Sequence, residues 1–284
     1  MFLMPAAINR IRHTTGTGNP QLDHDIVQLV EYSKGVFEKY CRHISQTDIC
    51  AALKNKTIVE LGPGDTMATG LFFLAYGAAR VVCFDRFKLI VNSPKNTLIA
   101  RQILSILPEP QQLILQTILS FDNQGQMRLD ITRLQYQHSL NEKIDLENNS
   151  VDIIVSNAVL EHVQNLDALF ASMYRILKPG GLMVHAADLK SHDLHHTTEL
   201  DFLTVPDWLW WLMTFYRGAP NRKRWSHYKN LLNAHDFELT FFKVTSRFPL
   251  EAISTLRLSY PEHAQRFSNE DLSSGGFLFT ARKP

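Results

Sequence analysis

The sequence predicts an α/β fold: a seven-stranded, mainly parallel sheet with helices on both faces and an antiparallel edge strand. Three observations lead there. Short apolar runs have the length of buried strands: TIVEL at 57–61, ARVVCFD at 79–85, SVDIIVSNA at 150–158 and GLMVHAAD at 181–188. Helical stretches alternate with them, which implies right-handed crossovers between parallel strands. The end of the chain breaks the alternation, because FELTFFKV (237–244) and GGFLFTAR (275–282) are two strands with a connection of about 30 residues, read as an antiparallel edge pair.

The elements follow in order. Residues 1–55 are read as a helical extension, since Ile26, Leu29, Val30, Val36 and Phe37 recur at helical spacing. Residues 56–284 are read as one domain. After TIVEL, GPGD makes a turn. Thr66 or Asp65 is placed to cap a helix running to about Tyr76, and Gly77 ends it. Residues 86–128 read as mostly helical with breaks at Pro94, Pro108 and Pro110, and a strand is expected near 127–131 or 134–136. AVLEHVQNLDALFASMYRILK reads as one long amphipathic helix, stopped by Pro179, Gly180 and Gly181. The segment at about 190–235, rich in His, Trp and Arg, is an insertion expected above the carboxyl ends of the strands, where ligands bind in open α/β sheets.

Composition removes several function classes. A net charge of +1 over 284 residues argues against a nucleic-acid binder that works through a strong basic field. Cys41, Cys50 and Cys83 are odd in number and form no CxxC pair, so free thiols in a reducing compartment are expected. MFLMPAAINR lacks the basic leader and the apolar length of a signal peptide, and Trp208–Tyr216 is about half the length of a membrane span. A cytoplasmic protein without membrane association is expected.

The strongest site signal is VELGPGD, Val59 to Asp65. Gly62 and Gly64 allow close backbone approach to a ligand, and the following helix presents free N–H groups. Met67 occupies the third glycine position of the dinucleotide fingerprint, and the acid Glu60 suits a ligand bearing an amine or sulfonium better than a pyrophosphate. A dehydrogenase is therefore disfavoured. Asp85, about 20 residues on at the end of the second strand, is placed to accept both ribose hydroxyls, with Arg86 and Phe87 flanking an adenine.

These residues resemble motif I of the class I methyltransferases that use S-adenosylmethionine, acid–x–Gly–x–Gly. Residues 148–185 resemble the later motifs of the type 11 members through Asn157, Leu160-Glu161-His162 and Leu177 to Gly181. The resemblance spans about residues 57–188. It implies a Rossmann-like domain with S-adenosylmethionine as cofactor, held by Glu60, Gly62, Pro63, Gly64, Asp65, Asp85 and Arg86. It further implies that Asn157 and Ala158 hold the methionine part and that His162 faces the site. Thr66 departs from the pattern, standing where many members have a third glycine. Asn141 and Glu142 are the nearest candidates for the adenine amine.

On the acceptor side, methyl transfer is mostly positioning, and a base is needed where a hydroxyl must lose its proton. His192 is the candidate base with Asp188 orienting it; His195, His196, Trp211, Arg222 and Tyr228 are candidate acceptor contacts. Trp208, Trp210, Phe215 and Tyr216 are read with Trp211 as pocket lining or lid packing. The His/Asp cluster shows no three-ligand spacing on one element, so no metal is expected. The resulting expectation is O-methylation of a small molecule in natural-product or sugar metabolism. A protein- or RNA-directed methyltransferase and a non-catalytic S-adenosylmethionine-binding subunit are the alternatives.

Overall fold

The computed structural model describes residues 25–86, 94–139, 143–192, 194, 198–214 and 219–284. Its helices are α1 (Ile26–Ile44), α2 (Ile49–Leu53), α3 (Ala68–Ala75), α4 (Pro94–Ile106), α5 (Glu109–Gln116), α6 (Leu166–Ile176), α7 (Asp207–Thr214), α8 (Trp225–Ala234), α9 (Leu250–Ser259), α10 (Pro261–Ala264) and α11 (Asn269–Ser273). Its strands are β1 (Thr57–Leu61), β2 (Arg80–Asp85), β3 (Leu119–Phe121), β4 (Met127–Leu129), β5 (Leu134–His138), β6 (Val151–Asn157), β7 (Leu177–Asp188), β8 (Glu238–Arg247) and β9 (Ser274–Arg282).

Seven strands form one sheet in the order β5-β2-β1-β6-β7-β9-β8. Every pair from β5 to β7 is parallel. Strand β9 runs antiparallel to both β7 and β8, so the antiparallel strand lies just inside the edge strand β8. The two sites expected for one strand at 127–136 are both strands, but only β5 joins the sheet; β4 pairs with β3 in a separate hairpin.

The apolar runs are continuous because both faces of the sheet are covered. Ile58, Val81, Cys83, Ile153 and Val155 pack with α1, α3 and α4 on one face. Val59, Leu61, Val82, Ile154 and Met183 pack with α6 and α8 on the other. A third cluster lies outside the sheet and joins Leu194, Leu200, Phe202 and Trp210 to Phe248, Ile253, Leu256 and Leu272. The inserted roof is thus built from two stretches of chain, one before α8 and one between β8 and β9. Among the described residues no helix is long and apolar enough to cross a membrane.

Two local expectations change. Met67 stands at the N-cap of α3 with no side-chain cap bond, and the nearest substitute is Ala68 N–H to Thr66 Oγ1 at 3.5 Å. The long helix expected after β6 is split into a 3₁₀ turn, Leu160–His162, and α6. Asn165 causes the split by capping α6, its Oδ1 accepting from Ala168 N–H at 3.1 Å, a bond that competes with helix continuation.

Candidate active site

Strands β2, β1 and β6 end level with one another: Leu61 pairs with Phe84 on one side and Ser156 on the other. Whatever follows each strand therefore faces one crevice. After β1 the chain turns with Gly62 at φ +63 and Gly64 at φ +75, the left-handed region glycine enters without strain. A Cβ on Gly62 would lie 2.3 Å from Val159 Cγ2, whereas one on Gly64 would meet nothing within 4 Å. Gly62 is required by packing against the loop after β6, and Gly64 leaves an open face toward the crevice. Asp65 follows, 4.0 Å from Lys95 Nζ. Asp85 closes β2 with its side chain nearly buried, and half-buried Arg86 follows it. Phe87, Asn141 and Glu142 lie outside the described residues.

Glu60, expected at the cofactor, is a buried residue with partners of its own. It is 3% exposed, accepts from Cys83 Sγ at 3.7 Å and is also bonded to Thr69. Burial pushes its carboxyl up to about 7, against the lowering effect of those two bonds. Its acid ties β1 to Cys83 of β2 and Thr69 of α3.

At the end of β6, Asn157 is held by α1: Lys39 Nζ donates to its Oδ1 at 2.8 Å, and its Nδ2 donates to Tyr32 Oη at 3.3 Å. Ala158 follows with φ +56, a conformation costly for a residue with a Cβ, and its N–H donates to Ala186 O at 2.9 Å. Sequence reasoning missed Tyr32 and Lys39. Their spacing of seven puts them on one face of α1, which was a legible signal.

The 3₁₀ turn then presents Glu161 and His162. Asn221 fixes this turn by donating from Nδ2 to Leu160 O (2.8 Å) and Val163 O (2.9 Å), and from its N–H to Glu161 O (2.6 Å). Glu161 is buried; its Oε1 accepts from Asp188 N–H at 3.0 Å, and burial pushes its carboxyl up to about 8. His192 comes over from the loop after β7, exposed and at φ +50, with its ring 4.9 Å from that of His162.

The expected pairing of Asp188 with His192 is replaced. Asp188 Oδ1 accepts from Lys190 N–H at 3.0 Å and closes its own turn, while Glu161 and His162 are the groups beside His192. Arg222 and Tyr228, expected as acceptor contacts, both have partners within the protein. The Arg222 guanidinium donates to Phe202 O, Val205 O and the Asp207 carboxylate, and lies 5.0 Å over the Trp210 ring. Buried Tyr228 donates to Leu160 O at 3.3 Å. Trp211 is exposed on α7 and Trp210 is buried, its Nε1 donating to Pro220 O at 3.2 Å. His195, His196, Phe215 and Tyr216 lie outside the described residues. Arg224, unnoticed as a buried group, ties three segments through Leu189 O, Asp271 O and Ser274 O.

The crevice fits S-adenosylmethionine: an open glycine turn over β1, an acid ending β2 and an amide ending β6 converge on it. Together with the sheet they define a class I methyltransferase that uses this cofactor. A family model described as a methyltransferase domain matches residues 32–240, and the chain belongs to that family. Its start at 32 takes in most of α1. No curated protein matches the chain. Among solved structures, an S-adenosylmethionine-dependent methyltransferase from Mesorhizobium loti is 18% identical with a TM-score of 0.49, over 88% of this chain and 99% of that one. Phosphoethanolamine N-methyltransferase 2 from Haemonchus contortus, in complex with S-adenosylmethionine, is 15% identical with a TM-score of 0.47, over 89% of this chain and 52% of that one.

Proposed function

We propose that this methyltransferase acts on a hydroxyl oxygen of a small-molecule acceptor in natural-product or sugar metabolism. The supporting observation is the meeting of Glu161 and His162, after β6, with His192, after β7. S-adenosylmethionine supplies an electrophilic methyl carbon on a sulfonium. The chain's own work is to align the acceptor, exclude water and remove the hydroxyl proton. Asp85 holds the ribose and the turn at Gly62–Gly64 receives the amino-acid part, with Asn157 and Ala158 opposite. His192, exposed beside His162, takes the acceptor proton. We further read the protein as cytoplasmic, on its free cysteines.

A protein acceptor is the second reading, and the exposure of Trp208 (69%) and Trp211 (64%) on α7 favours it, since bare tryptophans are common at interfaces. Labelled S-adenosylmethionine incubated with protein and a host extract separates the two. Label in the small-molecule fraction supports the first reading, and label in the protein fraction supports the second. His192→Ala should lower kcat at least tenfold with cofactor affinity unchanged; normal turnover removes His192 from the reaction.

A further inference from the structure

We propose that Glu161, His162 and His192 form a binding site for one divalent transition-metal cation, with a coordination position left open toward the crevice. One ligand atom from each residue lies within 4.8 Å of the others. Ligands at about 2.1 Å from a tetrahedral cation stand roughly 3.4 Å apart. His192 is the exposed member, on a loop, where a small movement can help to close that difference.

The two residues on the turn are already in place. Asn221 bonds Leu160 O, Val163 O and Glu161 O, and Tyr228 Oη donates to Leu160 O as well. Glu161 is 1% exposed; one oxygen is oriented by Asp188 N–H at 3.0 Å, and the other, Oε2, has no hydrogen-bond partner among the described residues. A buried carboxylate oxygen without a donor is costly unless something occupies it. A cation between that oxygen and two imidazoles supplies the missing partner. One oriented oxygen and one outward oxygen is also how a metal-binding carboxylate is held.

The ligand set selects the ion. Two imidazoles with one carboxylate suit zinc and its first-row neighbours, whereas magnesium and calcium prefer oxygen cages. Three protein ligands leave a position for an exchangeable water or a hydroxyl, as in catalytic zinc sites. The role of that position rests on the methyltransferase reading and replaces His192 as the proton acceptor: with the cation bound, His192 serves as a ligand, and an acceptor hydroxyl at the open position becomes more acidic and gives its proton to solvent. The site was hidden in the sequence because His192 stands on a different element from the Glu-His pair.

The test is calorimetric titration of chelator-treated full-length protein with zinc chloride, with S-adenosylmethionine titrated separately into the same preparation. One equivalent of zinc should bind. Glu161→Gln and His192→Ala should each weaken it at least tenfold, while His263→Ala leaves it unchanged. Glu161→Gln keeps an oxygen for Asp188 N–H, and His192 is exposed, so a thermal melt should show both variants folded. Absence of zinc binding, or binding that Glu161→Gln and His192→Ala leave unaltered, overturns the cation site. If cofactor binding persists in that case, the methyltransferase reading stands. Zinc binding at these residues without cofactor binding supports the cation site and removes the reading instead.

Discussion

Burial moves Glu60 and His185 in opposite directions. The His185 imidazole is fully buried, shares a 2.7 Å hydrogen bond with Ser156 Oγ and is pushed down to about 3. Its folded value lies below the ordinary 6.5, so between about pH 3 and 6.5 the unfolded chain holds the extra proton and stability rises with pH. Glu60 is raised from 4.5 to about 7, so the folded chain holds the extra proton between these values and stability falls as pH rises. The two slopes oppose each other between pH 4.5 and 6.5. Glu60→Gln should remove the falling component, so its Tm should gain on that of the parent steadily from pH 4.5 to 7. Parallel Tm profiles for the two proteins would exclude Glu60 as the source. At Asp85, replacement by Ala should weaken S-adenosylmethionine at least tenfold, about 1.4 kcal/mol, by calorimetry. Unchanged affinity would move the ribose contact to another residue.

At the level of elements, the glycine turn and the roof respond differently to mutation. Gly62→Ala brings a Cβ to 2.3 Å from Val159 Cγ2 on a backbone at φ +63. The left-handed conformation costs about 1–2 kcal/mol, and Val159 must move as well. Cofactor affinity should fall with overall folding retained, as read by calorimetry and circular dichroism. A wild-type dissociation constant would show the turn to be more pliable than its packing implies. Arg224→Met removes donors from three buried carbonyls, those of Leu189, Asp271 and Ser274. Leaving them unpaired should cost about 3 kcal/mol in urea unfolding, offset only in part by the apolar replacement.

The elements most legible in the sequence were those whose pattern is local. Strands β1, β2, β6 and β7 are apolar runs closed by turn residues, and Gly77 ends its helix with φ +103. The glycine turn and the acid after β2 were legible because their spacing follows from strand and helix length. The break at Asn165 was not, since a capping amide and an ordinary polar helix residue look alike until the cap bond forms. The protein partners of Arg222 and Tyr228 were hidden for a related reason. A polar side chain beside a site can face inward or hold the wall, and only its partners decide. The cluster of Glu161, His162 and His192 needed the sheet itself, because pairing of β6 with β7 is what brings the two loops together.

For the whole molecule, the cofactor should stabilise the fold by mass action. At a concentration about 100 times its dissociation constant it should add about 2.7 kcal/mol, raising Tm in a scan. No shift at saturating concentration would contradict binding to the native state. Arg224 carries a further consequence. Its bonds reach residues 35, 47 and 50 positions away along the chain, and the last two lie in the final stretch before and within β9. During synthesis the glycine turn and its neighbouring strands emerge before the partners of Arg224. The guanidinium has to wait for Asp271 and Ser274, so the roof closes only after these residues have left the ribosome. A nascent chain would thus carry most of a cofactor crevice before it has any means of shielding a reaction there, and premature release would yield a half-built enzyme with an open, unprotected apolar face.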